Sequence, residues 1–215
     1  MVETTEMGIR WKVCGITSTA DAAAAVAAGA DALGFIFYPP SPRAVSLAEA
    51  MRIVAGLPEG VWRVGVFVDA LVEEMAEAAD RLGLDFLQLS GDEPPELASQ
   101  LPRPAWKAVR LPPQPSPADA DAMATTYPDC TLLLDAGAGG LYGGTGESVD
   151  WQLAARVARQ RPLVLAGGLR FGNVAEAVTR VRPWGIDVAS GVEAEPGRKD
   201  PQKLSLFAAA LEPYR

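Results

Sequence analysis

The sequence predicts an α/β fold, a single (β/α)8 TIM barrel occupying residues 1–215 as one domain. Three observations carry that prediction. Apolar strand-like runs alternate with helical patterns from one end of the chain to the other, which is the signature of a parallel sheet covered by helices. Eight such units fit into 215 residues, near the lower size limit of a closed barrel. The first strand-to-helix turn, Cys14-Gly15-Ile16-Thr17, lacks the glycine fingerprint that opens a dinucleotide-binding open sheet.

The elements follow in order. Strand 9–14 is short and leans apolar; Gly15 turns it toward helix 19–28, which Ser18 or Thr19 caps and Gly29 ends. Strand 32–37 precedes helix 47–55, with Ser46 as its cap. Strand 61–68 leads to helix 71–82, closed by Gly83. Strand 86–89 is paired with helix 95–100. Strand 105–109 reaches helix 117–126 through Leu111-Pro112-Pro113-Gln114-Pro115-Ser116-Pro117, which reads as a stiff βα loop rather than a domain boundary. Strand 131–135 is followed by helix 151–159, capped by Asp150, then strand 163–166 by helix 171–181, and strand 186–189 by helix 201–211.

Composition narrows the function. The formal charge is −8 and hydrophobic residues make up 49%, so the chain has a core and lacks the basic surface that nucleic acid requires. Glu3 and Glu6 argue against a signal peptide, and no apolar run is long enough to span a bilayer, so a cytoplasmic protein without a membrane partner is expected. The two cysteines, Cys14 and Cys130, fall at opposite ends of parallel strands, too far apart for a disulfide. With no histidine in the chain, they also make a poor zinc site.

That absence of histidine shifts proton-transfer chemistry onto carboxylates, thiols, lysines or tyrosines. Barrel enzymes place their chemistry at the C-terminal ends of the strands. Cys14 stands at such an end, with Lys12 two residues upstream on the same side, where an ammonium favours the thiolate. Asp135 ends the run Thr131-Leu132-Leu133-Leu134, where strand propensity does not explain a carboxylate. Arg43 lies on the loop after the second strand; a loop arginine is ordinarily solvated, but at a barrel mouth it can instead bind a carboxylate in bidentate fashion. Asp187 on the last strand is a candidate partner for an interior lysine. Gly144, Gly167, Gly168, Ser190 and Gly191 lie in late loops, where main-chain N–H groups and a helix N-terminus can hold a phosphate.

These segments together resemble a known family. Lys12-Val13-Cys14-Gly15-Ile16-Thr17, Ser41-Pro42-Arg43, Leu87-Gln88-Leu89-Ser90-Gly91, Leu134-Asp135, Gly143-Gly144-Thr145-Gly146, Ala166-Gly167-Gly168 and Asp187-Val188-Ala189-Ser190-Gly191-Val192-Glu193, with Pro196-Gly197-Arg198-Lys199-Asp200, look like phosphoribosylanthranilate isomerase of tryptophan biosynthesis. The resemblance implies an intramolecular oxidoreductase, an aldose–ketose isomerase, that needs no metal or organic cofactor and acts on a small phosphorylated substrate as a monomer or homodimer. It implies an Amadori rearrangement of N-(5-phosphoribosyl)anthranilate, with Asp135 as general acid, Cys14 as general base, Arg43 at the anthranilate carboxylate and Asp187 near the bridging nitrogen. Two positions depart from the family pattern: Ser90 stands where histidine is usual, and Glu147 where lysine is common. Two alternatives compete. The related isomerase of histidine biosynthesis uses aspartates and a substrate with two phosphates, and a non-catalytic sugar-phosphate-binding barrel would not need Cys14 and Asp135.

Overall fold

Eight parallel strands close on themselves in chain order. They are β1 (Arg10–Cys14), β2 (Ala32–Ile36), β3 (Trp62–Phe67), β4 (Phe86–Leu89), β5 (Ala105–Arg110), β6 (Cys130–Asp135), β7 (Leu163–Leu165) and β8 (Gly185–Val188). The seam between β8 and β1 sets Lys12 opposite Asp187 and Val13 opposite Val188. This computed structural model describes residues 8–110, 112, 115–135 and 150–215.

Among the described residues, seven α-helices surround the barrel: α1 (Thr19–Ala27), α2 (Leu47–Val54), α3 (Val72–Leu82), α4 (Pro117–Thr126), α5 (Trp151–Ala158), α6 (Val174–Val181) and α7 (Pro201–Leu211). Their ends follow local chemistry. Ser18 accepts from the Asp21 amide and Ser46 forms a reciprocal capping box with Glu49. Asp150 accepts from the amides of Gln152 and Leu153, and Gly83 leaves α3 with φ of +59°. Two expected helices differ. Segment Pro95–Gln100 is a 3₁₀ helix, as suits a six-residue piece opened by two prolines. Helix α6 begins at Val174 rather than 171, because the Asn173 side chain ties up the preceding turn, accepting from the Arg170 amide at 2.8 Å and donating to the Gly168 carbonyl at 3.0 Å.

Strand alternation sorts side chains to two cores. Trp11, Val13, Leu33, Phe35, Leu87, Leu89, Leu132 and Leu134 face the helices. Val64, Trp106, Leu133 and Val164 fill the barrel interior with Trp62, Phe86 and Trp184 packed against them. The aromatic rings close the end where the strands begin: Trp62 stacks on Trp184 at 6.1 Å between ring centroids and meets Phe86 edge-on at 5.2 Å. The larger cavity lies at the other end, where the strands finish.

The connection between β8 and α7 goes beyond the eight-unit pattern. After β8 the chain makes a 3₁₀ turn, Ser190–Val192, then an antiparallel hairpin of β9 (Glu193–Glu195) and β10 (Arg198–Lys199). Among the described residues, no helix is long and apolar enough to cross a membrane.

Candidate active site

The open end of the barrel holds a cavity of about 650 Å³, counting its mouth to solvent, lined by Cys14, Arg43, Asp135 and Asp187 among others. These side chains come from β1, the loop after β2, β6 and β8, so four segments far apart in sequence are brought to one space by closure of the sheet.

Cys14 is a free, buried thiol whose side chain points inward, as Lys12 does two residues earlier. Lys12 Nζ pairs with Asp187 Oδ1 at 3.0 Å, and only 1% of the Lys12 side chain is exposed. Burial opposes the Lys12 charge, but Asp187 and Cys14 outweigh it and raise its pKa. Losing Asp187 would strand a buried ammonium, at a cost of about 3–5 kcal/mol. The thiol behaves otherwise than the neighbouring lysine alone suggests. Burial pushes the Cys14 pKa up, and Asp187 adds to that; Lys12 and Lys199 pull it down without cancelling the effect. In the free protein Cys14 is held as the protonated thiol at neutral pH.

Asp135 is the last residue of β6, opposite Arg110 of β5. Gln88 on β4 also faces the cavity, and its amide donates to Ser90 Oγ at 3.1 Å. Arg43 Nε donates to Glu193 Oε1 at 2.9 Å, and its Nη2 to Glu193 Oε2 at 2.7 Å. That fork pairing directs two of its three nitrogens at a protein carboxylate.

The late loops meet at the rim. Gly167 and Gly168 adopt φ of +81° and +63°, a region that L side chains rarely enter. A Cβ at Gly191 would overlap the Leu169 carbonyl oxygen, so the loops after β7 and β8 are in direct main-chain contact there. Ala189, just before Ser190, lines the cavity itself. Gly144, and Glu147 with it, lies outside the described residues.

Residues 11–210 match the sequence model of the N-(5'phosphoribosyl)anthranilate (PRA) isomerase family. The chain belongs to that family. Among curated proteins it is similar to the N-(5'-phosphoribosyl)anthranilate isomerase of Acidithiobacillus ferrooxidans, at 46% identity over 204 residues, 94% of this chain and 97% of the relative. The Azotobacter vinelandii isomerase is 47% identical over 200 residues, 93% and 95% of the two chains. Among solved structures, the phosphoribosyl anthranilate isomerase of Thermotoga maritima superposes with a TM-score of 0.87 at 38% identity, covering 95% of this chain and 99% of that one. A phosphoribosyl anthranilate isomerase solved with reduced 1-(o-carboxyphenylamino)-1-deoxyribulose 5-phosphate gives a TM-score of 0.84, also at 38% identity, with the same shares covered.

Within this isomerase fold, sequence reasoning passes over several buried polar groups around the site. Glu93 accepts from the amides of Asp69 and Gly91, at 2.9 and 3.0 Å, and from Lys107 Nζ at 2.7 Å. This ties the loops after β3 and β4 to strand β5. A lysine in the middle of an apolar strand, Ala105-Trp106-Lys107-Ala108-Val109, is the available signal. Glu193 and Lys199 stand out in the sequence only as parts of a motif; nothing local to them points to a partner on another loop.

Proposed function

We propose that this chain converts N-(5-phosphoribosyl)anthranilate to 1-(2-carboxyphenylamino)-1-deoxyribulose 5-phosphate, as an aldose–ketose isomerase working by general acid–base catalysis. The observation that carries this reading is the convergence of Cys14, Asp135, Arg43 and Asp187 on one cavity in a chain of that family. Asp135 protonates the ribose ring oxygen, and the C1–O bond breaks to give a protonated Schiff base. Cys14 then takes the proton from C2, and the electron pair moves into an enolamine that tautomerises to the ketone. The iminium cation acidifies C2–H and also favours the thiolate beside it, so the thiol held protonated at rest gives its proton to solvent water as the cation forms, and the resulting thiolate takes the C2 proton. Lys12 supplies a second positive charge next to that sulfur.

Arg43 binds the anthranilate carboxylate, Asp187 holds Lys12 and borders the bridging nitrogen, and Gly144, Gly167, Gly168, Ser190 and Gly191 bind the phosphate. No step in this scheme calls for a metal or organic cofactor. Residues 1–215 act as one catalytic domain on a small phosphorylated substrate, without nucleic acid or membrane, as a monomer or homodimer in the cytoplasm.

Turnover of freshly prepared N-(5-phosphoribosyl)anthranilate is the direct test. The wild-type protein is expected to produce the ketose. Cys14→Ala and Asp135→Asn are each expected to lower kcat by about 10²–10⁴-fold while product-analogue binding persists. Wild-type turnover in either variant removes that residue from the scheme, and no turnover by the intact protein leaves a sugar-phosphate-binding barrel.

A further inference from the structure

The hairpin after β8 carries a buried ion pair that the proton transfers do not use. Glu193 and Lys199 meet at 2.8 Å with 3% and 0% of their side chains exposed. Burying two charges is costly, and an apolar pair of similar volume would hold the hairpin as well. What the charged pair adds is direction. Lys199 Nζ donates to Glu193 Oε1 and also to the carbonyl oxygens of Cys14, at 2.6 Å, and Ala189, at 3.5 Å. Three acceptors around one nitrogen match the three hydrogens of an ammonium. The main chain of Lys199 is fixed as well, donating to Asp21 Oδ1 at 3.1 Å.

Glu193 transmits this anchorage. Its Oε1 takes Lys199 Nζ, Arg43 Nε and, at 3.3 Å, the Gly197 amide, while Oε2 takes Arg43 Nη2. Burial raises the Glu193 pKa, but the bonds to Arg43 and Lys199 outweigh it and hold the carboxyl below its ordinary value, so it is a carboxylate throughout the neutral range. The Arg43 side chain reaches it by crossing Gly15, where a Cβ would stand 2.7 Å from Arg43 Cδ. Thr17 bonds the Gly197 carbonyl, joining the turn of the hairpin to the loop after β1. A continuous run of charged contacts therefore leads from the Cys14 backbone through Lys199 and Glu193 to the guanidinium at the cavity.

We propose that Glu193 is a positioning residue for substrate recognition: anchored through Lys199 to the backbone of Cys14, it fixes the Arg43 guanidinium so that its remaining edge meets the substrate carboxylate at a set distance from the thiol. This rests on the reading of Arg43 given above. A flexible arginine would have to be ordered at each binding event; one held by a fork on its far edge is ordered beforehand.

A double-mutant cycle in KM tests it. Glu193→Gln keeps the size of the side chain and removes the charge. It is expected to raise KM for N-(5-phosphoribosyl)anthranilate by about tenfold or more, with kcat changed by less than about threefold, because a charge-assisted bond is lost at a group that binds rather than reacts. In an Arg43→Ala background the same replacement is expected to change KM by less than about twofold, since the group through which Glu193 acts is gone. Multiplying effects, with Arg43→Ala alone raising KM, overturn the proposal while leaving the carboxylate role of Arg43 intact. An unchanged KM in Arg43→Ala alone overturns that role and the proposal with it. Should Glu193→Gln fail to fold, Glu193→Asp, which retains the charge on a shorter arm, enters the same cycle, and the same two results overturn the proposal.

Discussion

A Cβ at Gly34 would stand 2.8 Å from the Cys14 thiol and 2.9 Å from Cε of Lys12. Gly34 pairs with Cys14 across β1 and β2, so the missing side chain on one strand makes room for two functional side chains on the other. Gly34→Ala is therefore expected to leave the barrel folded, displace the sulfur, and lower kcat by roughly 10–100-fold with little change in KM. Steady-state kinetics alongside a thermal melt checks this; a wild-type kcat would mean that the thiol has slack or is not the base. At this scale the sequence exposes the chemistry but not the electrostatics. Cys14 and Asp135 stand out because a thiol and a carboxylate at apolar strand ends have no propensity-based reason to be there. The direction of the thiol shift is not legible, because burial is a property of the closed barrel and exceeds the effect of the adjacent lysine. Nor is the Arg43–Glu193 fork, whose partners are 150 positions apart.

The same division holds for elements. All eight barrel strands are readable from apolar runs bounded by turns, with ends differing by a residue or so. The β9–β10 hairpin is not, because Glu193-Ala194-Glu195 and Arg198-Lys199 are three and two residues long and largely charged, without the apolar run that marks the barrel strands. The phosphate loops are readable in composition, but the structure changes what their glycines mean. Gly191 is required by the Leu169 carbonyl, so replacing it disrupts loop packing as well as any anion site. Gly168 is the cleaner probe. Asn tolerates positive φ and Val does not, yet both add a side chain at the rim. If Gly168 borders the phosphate, Gly168→Asn and Gly168→Val are both expected to raise KM at least several-fold and weaken inhibition by inorganic phosphate. A rise in Val alone would assign the effect to backbone strain, and no rise in either would move the phosphate elsewhere.

For the whole molecule, the alternation of strand and helix makes a helix-covered parallel sheet legible, and the count of eight units in a chain of this length makes the closed barrel so. Its charge inventory leads to a stability profile that no single residue shows. The chain has no histidine, so few side chains titrate between about pH 6 and 8. The groups that shift do so on either side. Hydrogen bonds from Ser46 and Ser116 lower the Glu49 and Asp119 pKa values, Arg156 lowers that of Asp121, and Arg43 and Lys199 overcome burial to lower that of Glu193. With folded values below unfolded ones, these carboxylates contribute stability above about pH 4–5 that is lost as pH falls through the folded values. Burial raises both cysteines, so the folded state binds more protons than the unfolded one above about pH 8.5, and their contribution is lost as pH rises through the folded values. Lys199, lowered by burial, works the other way in the alkaline range, so comparison with Cys130→Ala isolates one thiol. Urea unfolding as a function of pH is expected to give a flat top across neutrality, falling on the acid side, with an alkaline decline that is shallower in Cys130→Ala. A slope across the neutral range would require a titrating group that this inventory lacks, and an alkaline limb identical in the two proteins would show that Cys130 is not held protonated by the fold.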